Sequence, residues 1–218
     1  MAEKNDRELG DERREYTRGQ LDESSLPADP MELFSDWLRD AIESDHPDPT
    51  AMTLSTVERN GQPTSRIVLL KKVEDGKLVF YTNYHSRKAR AIRAKARVAV
   101  HFYWPQLERQ VNIAGICRPI EDEDSDHYFR TRPYESNITA WASPQSEVIP
   151  DRAYLEREYE KYCRKYRITD EIPRPAYWGG YAIIPSTIEF WQGGRNRLHD
   201  RIEYSKKEER WNAVRLAP

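Results

Sequence analysis

Residues 50–83 read TAMTLSTVERNGQPTSRIVLLKKVEDGKLVFYTN, and this stretch decides the fold class. Polar and apolar side chains alternate through TAMTLSTV, Asn60-Gly61 follows, SRIVLLKKV comes next, and Asp75-Gly76 precedes KLVFYTN. A period of two marks a strand with one buried face, and Asn-Gly and Asp-Gly supply the positive φ that tight hairpin turns need. The spacing predicts three antiparallel strands in a meander.

On the N-terminal side, Asp29-Pro30 is a helix-start pair, and Phe34, Trp37, Leu38 and Ala41 recur at i, i+3, i+4 and i+7 before Pro47 and Pro49. One apolar helix face therefore packs on the body. Residues 1–28 are acid-rich, poor in large apolar groups and closed by LPADP, which predicts a mobile arm before a single domain over residues 29–218. On the C-terminal side, SRKARAIRAKAR (86–97) predicts a short helix from Ser86 to about Ala96, and VAVHFYW and QVNIAGICRPI extend the sheet. EDEDSDHYFRTRP and DRAYLEREYEKYCRKY read as helices, the first with acids at its N-terminus. The tail returns to strands in YWGGYAII, TIEFWQGG, RIEYS and WNAVRL. Strands in runs with helices beside them, without strict βαβ alternation, predict an α+β fold built on an antiparallel barrel or sheet.

Composition narrows the function classes. A chain of 218 residues can bury roughly 70% of the surface its unfolded form exposes, so it folds without a metal or disulfide staple. With 35 Lys plus Arg against 37 Asp plus Glu, the net charge of −2 lacks the global footprint of a nucleic-acid binder. Cys117 and Cys163 form neither a CxxC nor a Cys/His cluster, which argues against structural zinc and predicts free thiols and no metal. No apolar run approaches the ~20 residues of a membrane span and the N-terminus lacks a signal-peptide core, so the expectation is a cytoplasmic protein off the membrane. Neither GxGxxG nor a P-loop occurs, so a Rossmann site or a nucleoside triphosphatase is unsupported.

Several local patterns can carry chemistry. Arg87 and Lys88 sit in the first turn after the N-cap Ser86, where cations oppose the helix dipole unless an anion answers them; a solvated basic face reads the same. Arg66 and Lys71 bound the apolar run RIVLLK, and their odd separation puts them on opposite faces of a regular strand, so one ligand reaches both only if the strand is irregular. Gln110 has the donors and acceptors to pair with a heteroaromatic ring, or is simply an exposed strand amide. Tyr128, Arg132 and Ser136 recur at spacings of four and suit a phosphate, although Pro133 interrupts a common helix face. Gln145 and Ser146 lie in a loop between Pro144 and Pro150. In WQGGRNRLHDR (191–201), Arg195, Arg197, His199 and Arg201 alternate along a possible strand, like charges that repel unless anions or acids answer them. His199-Asp200 without a GxSxG elbow makes hydrolase chemistry a poor fit.

Taken in order, RREYT, LPADP, DPTAM, RIVLLK, YTNYHSRKA, LERQV, YFRTRP, WASPQS, YWGGY and IEFWQGGRNRLHDR closely resemble the pyridoxamine 5′-phosphate oxidase family, from about Arg13 to the C-terminal LAP. Ala89 and Tyr177 depart from residues common in that family. The resemblance implies a homodimeric split β-barrel with flanking helices and FMN at the subunit interface. It implies oxidation of pyridoxine or pyridoxamine 5′-phosphate to pyridoxal 5′-phosphate, by hydride transfer from C4′ to flavin N5, with O2 as acceptor and H2O2 released. Implied FMN contacts are Arg66, Ile67, Val68, Leu69, Leu70, Lys71, Tyr81, Thr82, Arg87, Lys88, Gln110, Gln145, Ser146, Trp191 and Arg201. Implied substrate contacts are Lys71, Tyr128, Arg132 and Ser136 around the phosphate, and Arg197, Leu198 and His199 near the ring. Arg13, Arg14, Glu15 and Tyr16 resemble a segment that closes over the substrate. Arg197 and His199 are the implied catalytic pair. A phenazine-pathway flavin oxidase of the same fold and a non-catalytic carrier of FMN or pyridoxal phosphate are the alternatives.

Overall fold

In the computed structural model, the described residues are 15–169 and 171–218. The backbone gathers into two compact units, one of residues 50–102 and 112–187, the other of residues up to 49, 103–111 and 188–218.

The larger unit holds β1 (Ala51–Val57), β2 (Pro63–Leu69), β3 (Lys72–Glu74), β4 (Lys77–Asn83), and most of β5 (Arg97–Trp104), β6 (Arg109–Pro119) and β7 (Trp178–Gln192). Their order is β2-β1-β5-β6-β7-β4-β3. The expected meander is therefore corrected. SRIVLLKKV is not one strand: β2 pairs with β1, with Ala51 opposite Leu69, while β3 pairs with β4, and β4 pairs onward with β7. The division falls between two neighbouring amides, since Leu70 N–H donates to Thr50 O at 2.9 Å and Lys71 N–H to Val79 O at 2.8 Å. Leu70 is buried at this step while Leu69 and Lys71 are exposed.

A second correction concerns the tail, where YWGGYAII and TIEFWQGG form the single 15-residue strand β7. Beside Pro185, β6 passes unusually close to this strand: a Cβ on Gly115 would lie 2.1 Å from Ile184 O. Met52, Leu54, Leu78, Phe80, Val100 and Ile183 are buried in this unit.

Helices α2 (Arg87–Ala94), α3 (Asp122–Thr131), α4 (Tyr134–Ala142) and α5 (Arg152–Lys165) flank these strands. The Ser86 hydroxyl caps α2 and the Asp151 carboxylate caps α5, each accepting a backbone N–H of the first turn. Pro133 separates α3 from α4, as its missing N–H requires.

In the smaller unit, α1 (Pro30–Glu43) buries Phe34, Trp37 and Ala41. Trp37 meets Phe190 edge to face at 5.2 Å, and the Arg109 guanidinium lies 4.5 Å over the Trp37 ring. The end of β7 continues to β8 (Asp200–Lys207) and β9 (Arg210–Leu216). Of the expected arm, residues 15–28 are described: Thr17 and Arg18 N–H groups donate to Glu108 Oε2 at 2.6 and 2.9 Å, and Leu21 N–H to Asp200 Oδ2 at 3.0 Å. Arg13 and Arg14 lie outside the described residues.

Gly115→Ala forces a methyl group against backbone rather than a movable side chain, so β6 and β7 must separate locally. The expected cost is about 1–3 kcal/mol in urea unfolding, and a variant within 0.5 kcal/mol of wild type would contradict this close approach.

Candidate functional site

The strand break at Leu70–Lys71 places the exposed side chains of Ile67, Leu69 and Lys71 on one wall of a cleft of about 670 Å³ in the larger unit. Tyr81, Thr82 and Asn83 from β4, Lys88 from α2, Tyr128 from α3, and Arg132 and Pro133 between helices complete much of the lining. Ser136 and Gln145 also line it. Tyr128, Arg132 and Ser136 thus share the cleft although no common helix joins them.

Within the cleft the cations are held by neutral groups. Lys88 Nζ donates to Thr82 Oγ1 at 3.0 Å and to Gln145 Oε1 at 3.4 Å, while Thr82 Oγ1 donates to Gln145 Oε1 at 3.1 Å. Burial, then the nearby Arg66 charge, pulls the Lys88 ammonium down to about 8. Arg132 donates Nη2 to Ser136 O at 3.1 Å, whereas its Nη1 is buried without a partner. Burial lowers the Arg132 pKa, though not enough to threaten its charge near neutrality. Such desolvated cations, unanswered by carboxylates among the described residues, define places where an anion replaces lost hydration.

Stacked aromatic rings also line the cleft. Tyr81 stacks on Tyr128 at 3.8 Å and on Trp178 at 5.4 Å, with interplanar angles of 12° and 8°. Burial pushes the Tyr81 phenol up to about 12 and raises that of Tyr128, so both remain protonated donors at neutral pH.

Not every expected residue reaches this lining. Arg66 turns to Leu54 O and Thr56 Oγ1 through Nη1, at 3.0 and 2.8 Å, and to Thr64 Oγ1 through Nη2 at 2.7 Å. Arg87 is ion-paired with Glu58. Leu70 is buried, and Ser146 sits beside Gln145 with φ of 73°. Lining residues absent from the sequence reading include Thr139, Ala140, Ser143, Tyr159 and Trp178. Ser136, Thr139, Ala140 and Ser143 follow helical spacing, so a periodicity search continued beyond Pro133 finds them.

Glu15, Tyr16, Gln110, Trp191, Arg197, Leu198, His199 and Arg201 belong to the smaller unit. The expected strand through Arg195–Arg201 is corrected: Arg195–Arg197 is a single 3-10 turn, with φ of 56° and 61° at Asn196 and Arg197, and strand begins only at Asp200. The turn closes tightly, because a Cβ on Gly194 would lie 2.2 Å from Leu198 O. The three arginines therefore do not share a strand face, and Arg201 is answered by Glu189 at 2.8 Å. His199 Nδ1 accepts from Gly194 N–H at 3.1 Å, which leaves Nε2 to carry the proton of the neutral ring. Burial, then Arg197, lowers the His199 pKa. The His199 ring lies 4.6 Å from Trp191 and 5.5 Å from Tyr16.

Comparison with known proteins places the chain in a family. The model of the pyridoxamine 5′-phosphate oxidase family matches residues 38–163, and that of the pyridoxine 5′-phosphate oxidase C-terminal dimerisation region matches residues 178–218. A pyridoxine/pyridoxamine 5′-phosphate oxidase of Shewanella pealeana is 47% identical over 97% of this chain and 99% of its own length. One of Vibrio cholerae is 48% identical over 97% and 100%. Among solved structures, PhzG from Burkholderia lata in complex with tetrahydrophenazine-1-carboxylic acid superposes with a TM-score of 0.85 at 27% identity, covering 89% of this chain and 95% of that one. A pyridoxamine 5′-phosphate oxidase-related, FMN binding protein from Nostoc punctiforme gives 0.71 at 16%, covering 88% and 100%, a likeness of fold alone.

The fold is α+β, an antiparallel split barrel with flanking helices. Within that class, the chain belongs to the pyridoxamine 5′-phosphate oxidase family.

Lys88 provides a test of the cleft electrostatics without added ligand. Its folded pKa of about 8 lies below the unfolded value of 10.5, so the unfolded chain binds more protons between those limits and stability rises with pH across them. Lys88→Met is expected to melt no lower than wild type at pH 7, with its advantage shrinking towards pH 10. A variant that melts lower at pH 7 and keeps the wild-type pH dependence would contradict a desolvated ammonium at this position.

Proposed function

We propose that the protein is an FMN-dependent oxidase that converts pyridoxine and pyridoxamine 5′-phosphate to pyridoxal 5′-phosphate, with O2 reduced to H2O2. The observation that carries the reading is one cleft with two separate cations held by neutral partners: Lys88 on Thr82 and Gln145, and Arg132 on Ser136 O. Two phosphate monoesters, one on the cofactor and one on the substrate, answer the two positions. Family membership and relatives at 47% and 48% identity support the reaction itself.

FMN fits the residues present. Lys88, with Thr82 and Gln145, is a desolvated donor set for its phosphate, with Arg66 adding positive charge nearby and Arg87, now paired with Glu58, a further proposed contact. Ile67 and Leu69, 61% and 40% exposed, offer apolar edge-strand surface for a flat ring system. Val68, Leu70, Lys71, Tyr81, Gln110, Ser146, Trp191 and Arg201 complete the proposed cofactor contacts. When bound, FMN supplies the redox chemistry, accepting two electrons from the substrate and passing them to O2.

The chain supplies binding, alignment and proton control. Lys71, Tyr128, Arg132 and Ser136 hold the substrate phosphate, and the raised Tyr128 pKa keeps its hydroxyl a donor. Arg197 holds the substrate ring and stabilises negative charge on it. Leu198 lies beside it in the turn, and His199, neutral at pH 7, exchanges a proton through Nε2. Glu15 and Tyr16 cover the substrate in this reading, which the packing of Tyr16 against Trp191 and His199 supports. The C-terminal match supports a homodimer, and the proposal sets FMN at its subunit interface. The free thiols Cys117 and Cys163 support a cytoplasmic location.

Anaerobic titration of the flavin-loaded protein with pyridoxine 5′-phosphate should bleach the visible flavin band, with air restoring it, whereas pyridoxine does so weakly. Flavin that stays oxidised would favour a phenazine-type substrate or a carrier role. Arg197→Ala should lower kcat about 10²-fold or more, and near-normal turnover at saturating substrate would remove its assigned role. Because the Arg197 charge depresses the His199 pKa, the same variant should move the acid limb of its kcat/KM profile to higher pH.

A further inference from the structure

We propose that Trp178 is a positioning residue, whose ring aims the Arg132 guanidinium at the substrate phosphate without neutralising it. The inference rests on the proposed placement of the substrate phosphate at Arg132, and on nothing about electron transfer.

Trp178 opens β7 opposite Asn83 and is buried to 7% exposure. Its backbone is fixed on both sides, with its N–H donating to Pro175 O at 2.9 Å and its carbonyl accepting from Arg174 Nη1 at 2.6 Å. Arg174 is in turn anchored on Asp126 at 2.6 Å and Asp122 at 2.7 Å. The Arg132 guanidinium lies 4.3 Å over the Trp178 ring and 5.3 Å from the Phe129 ring centre.

Two arginines beside Trp178 are therefore held by opposite means. Arg174 is paired with two carboxylates, which meet its charge and take its donors, as suits a structural clamp. Arg132 has no carboxylate partner among the described residues, and Nη1 is buried and unpartnered. Glu135, the carboxylate in the cleft lining, is exposed and forms no ion pair with it. An aromatic face attracts a guanidinium through its quadrupole while accepting none of the in-plane N–H bonds. The arrangement orients Arg132 in the cleft lining, yet leaves its charge unneutralised for a phosphate. The parallel stack of Trp178, Tyr81 and Tyr128 extends the same control to Tyr128, whose plane lies 4° from that of Trp178.

The test uses the FMN-loaded enzyme, with Trp178→Phe, Trp178→Tyr and Trp178→Leu compared by melting midpoint, flavin content and steady-state kinetics. Trp178→Leu should raise KM for pyridoxine 5′-phosphate about tenfold, equivalent to ~1.4 kcal/mol, with Trp178→Phe and Trp178→Tyr intermediate. In those two variants kcat should stay within about twofold of wild type. Competitive inhibition by inorganic phosphate should weaken in parallel, while inhibition by unphosphorylated pyridoxine should not. A general loosening of the fold would weaken both inhibitors and lower kcat, and that pattern overturns the inference. So does an unchanged KM in Trp178→Phe, the variant that decides the matter if Trp178→Leu fails to fold. A wild type that oxidises pyridoxine as readily as its 5′-phosphate overturns the proposed function and the inference with it. A wild type that prefers the ester, with KM unchanged in Trp178→Phe, overturns the inference alone.

Discussion

Two consecutive amides, Leu70 and Lys71, donate in different directions, one to Thr50 beside β1 and the next to Val79 in β4. A backbone group removed from water has to find a partner, so this hand-over lets one run of sequence serve two parts of the sheet without leaving a donor stranded. It ends β2 while its outer side chains, Ile67 and Leu69, are still exposed, and it returns the chain as β3 against β4. The cleft is the space opened by that change of partner. Lys71 stands at its rim, Tyr81 and Thr82 project from β4, and the short helix that follows brings in Lys88.

Charge placement within the fold divides by purpose. Arg174 and Arg109 are each met by aspartates, and such pairs fix geometry at the cost of charge and donor capacity. Lys88 and Arg132 are met by hydroxyl, amide, carbonyl and aromatic groups instead. Burying a cation this way is unfavourable for the isolated protein, and the lowered Lys88 pKa is the mark of that cost. A phosphate monoester reverses the balance, because it supplies the charge and the acceptor oxygens that water no longer provides. Under the proposed function, binding free energy is thereby directed to the phosphates, leaving the flat rings to be aligned by packing.

The smaller unit contributes geometry of another kind. Left-handed backbone at Asn196 and Arg197 and the close pass of Gly194 on Leu198 O turn the chain sharply after β7. The turn brings His199 Nδ1 onto the Gly194 amide and the His199 ring against Trp191 and Tyr16. A histidine held through Nδ1 has a defined tautomer and a defined exchangeable proton, which a free side chain lacks.

Much of this was legible in the residues. Alternation in TAMTLSTV, the Asp29 cap with Phe34, Trp37 and Ala41, and the breaks at Asn60-Gly61, Asp75-Gly76 and Pro133 depend on local stereochemistry, so sequence alone specified those elements. The ordered motifs from RREYT to LAP carried the family. What tertiary structure decided were the pairings between distant segments: the switch at Leu70–Lys71, the continuity of β7 through Pro185, and the gathering of Tyr128, Arg132 and Ser136 across a helix break. The turn at Arg195–Arg197 replaced an expected strand because left-handed φ, which Asn196 tolerates by its own preference, extends to Arg197, where surrounding contacts must hold it. Trp178 belongs with these: within YWGGY it reads as one more strand aromatic, and only packing sets its face against a guanidinium that lacks a carboxylate. Periodicity records which side of an element is buried; which buried group meets which is set by chain segments far apart in sequence.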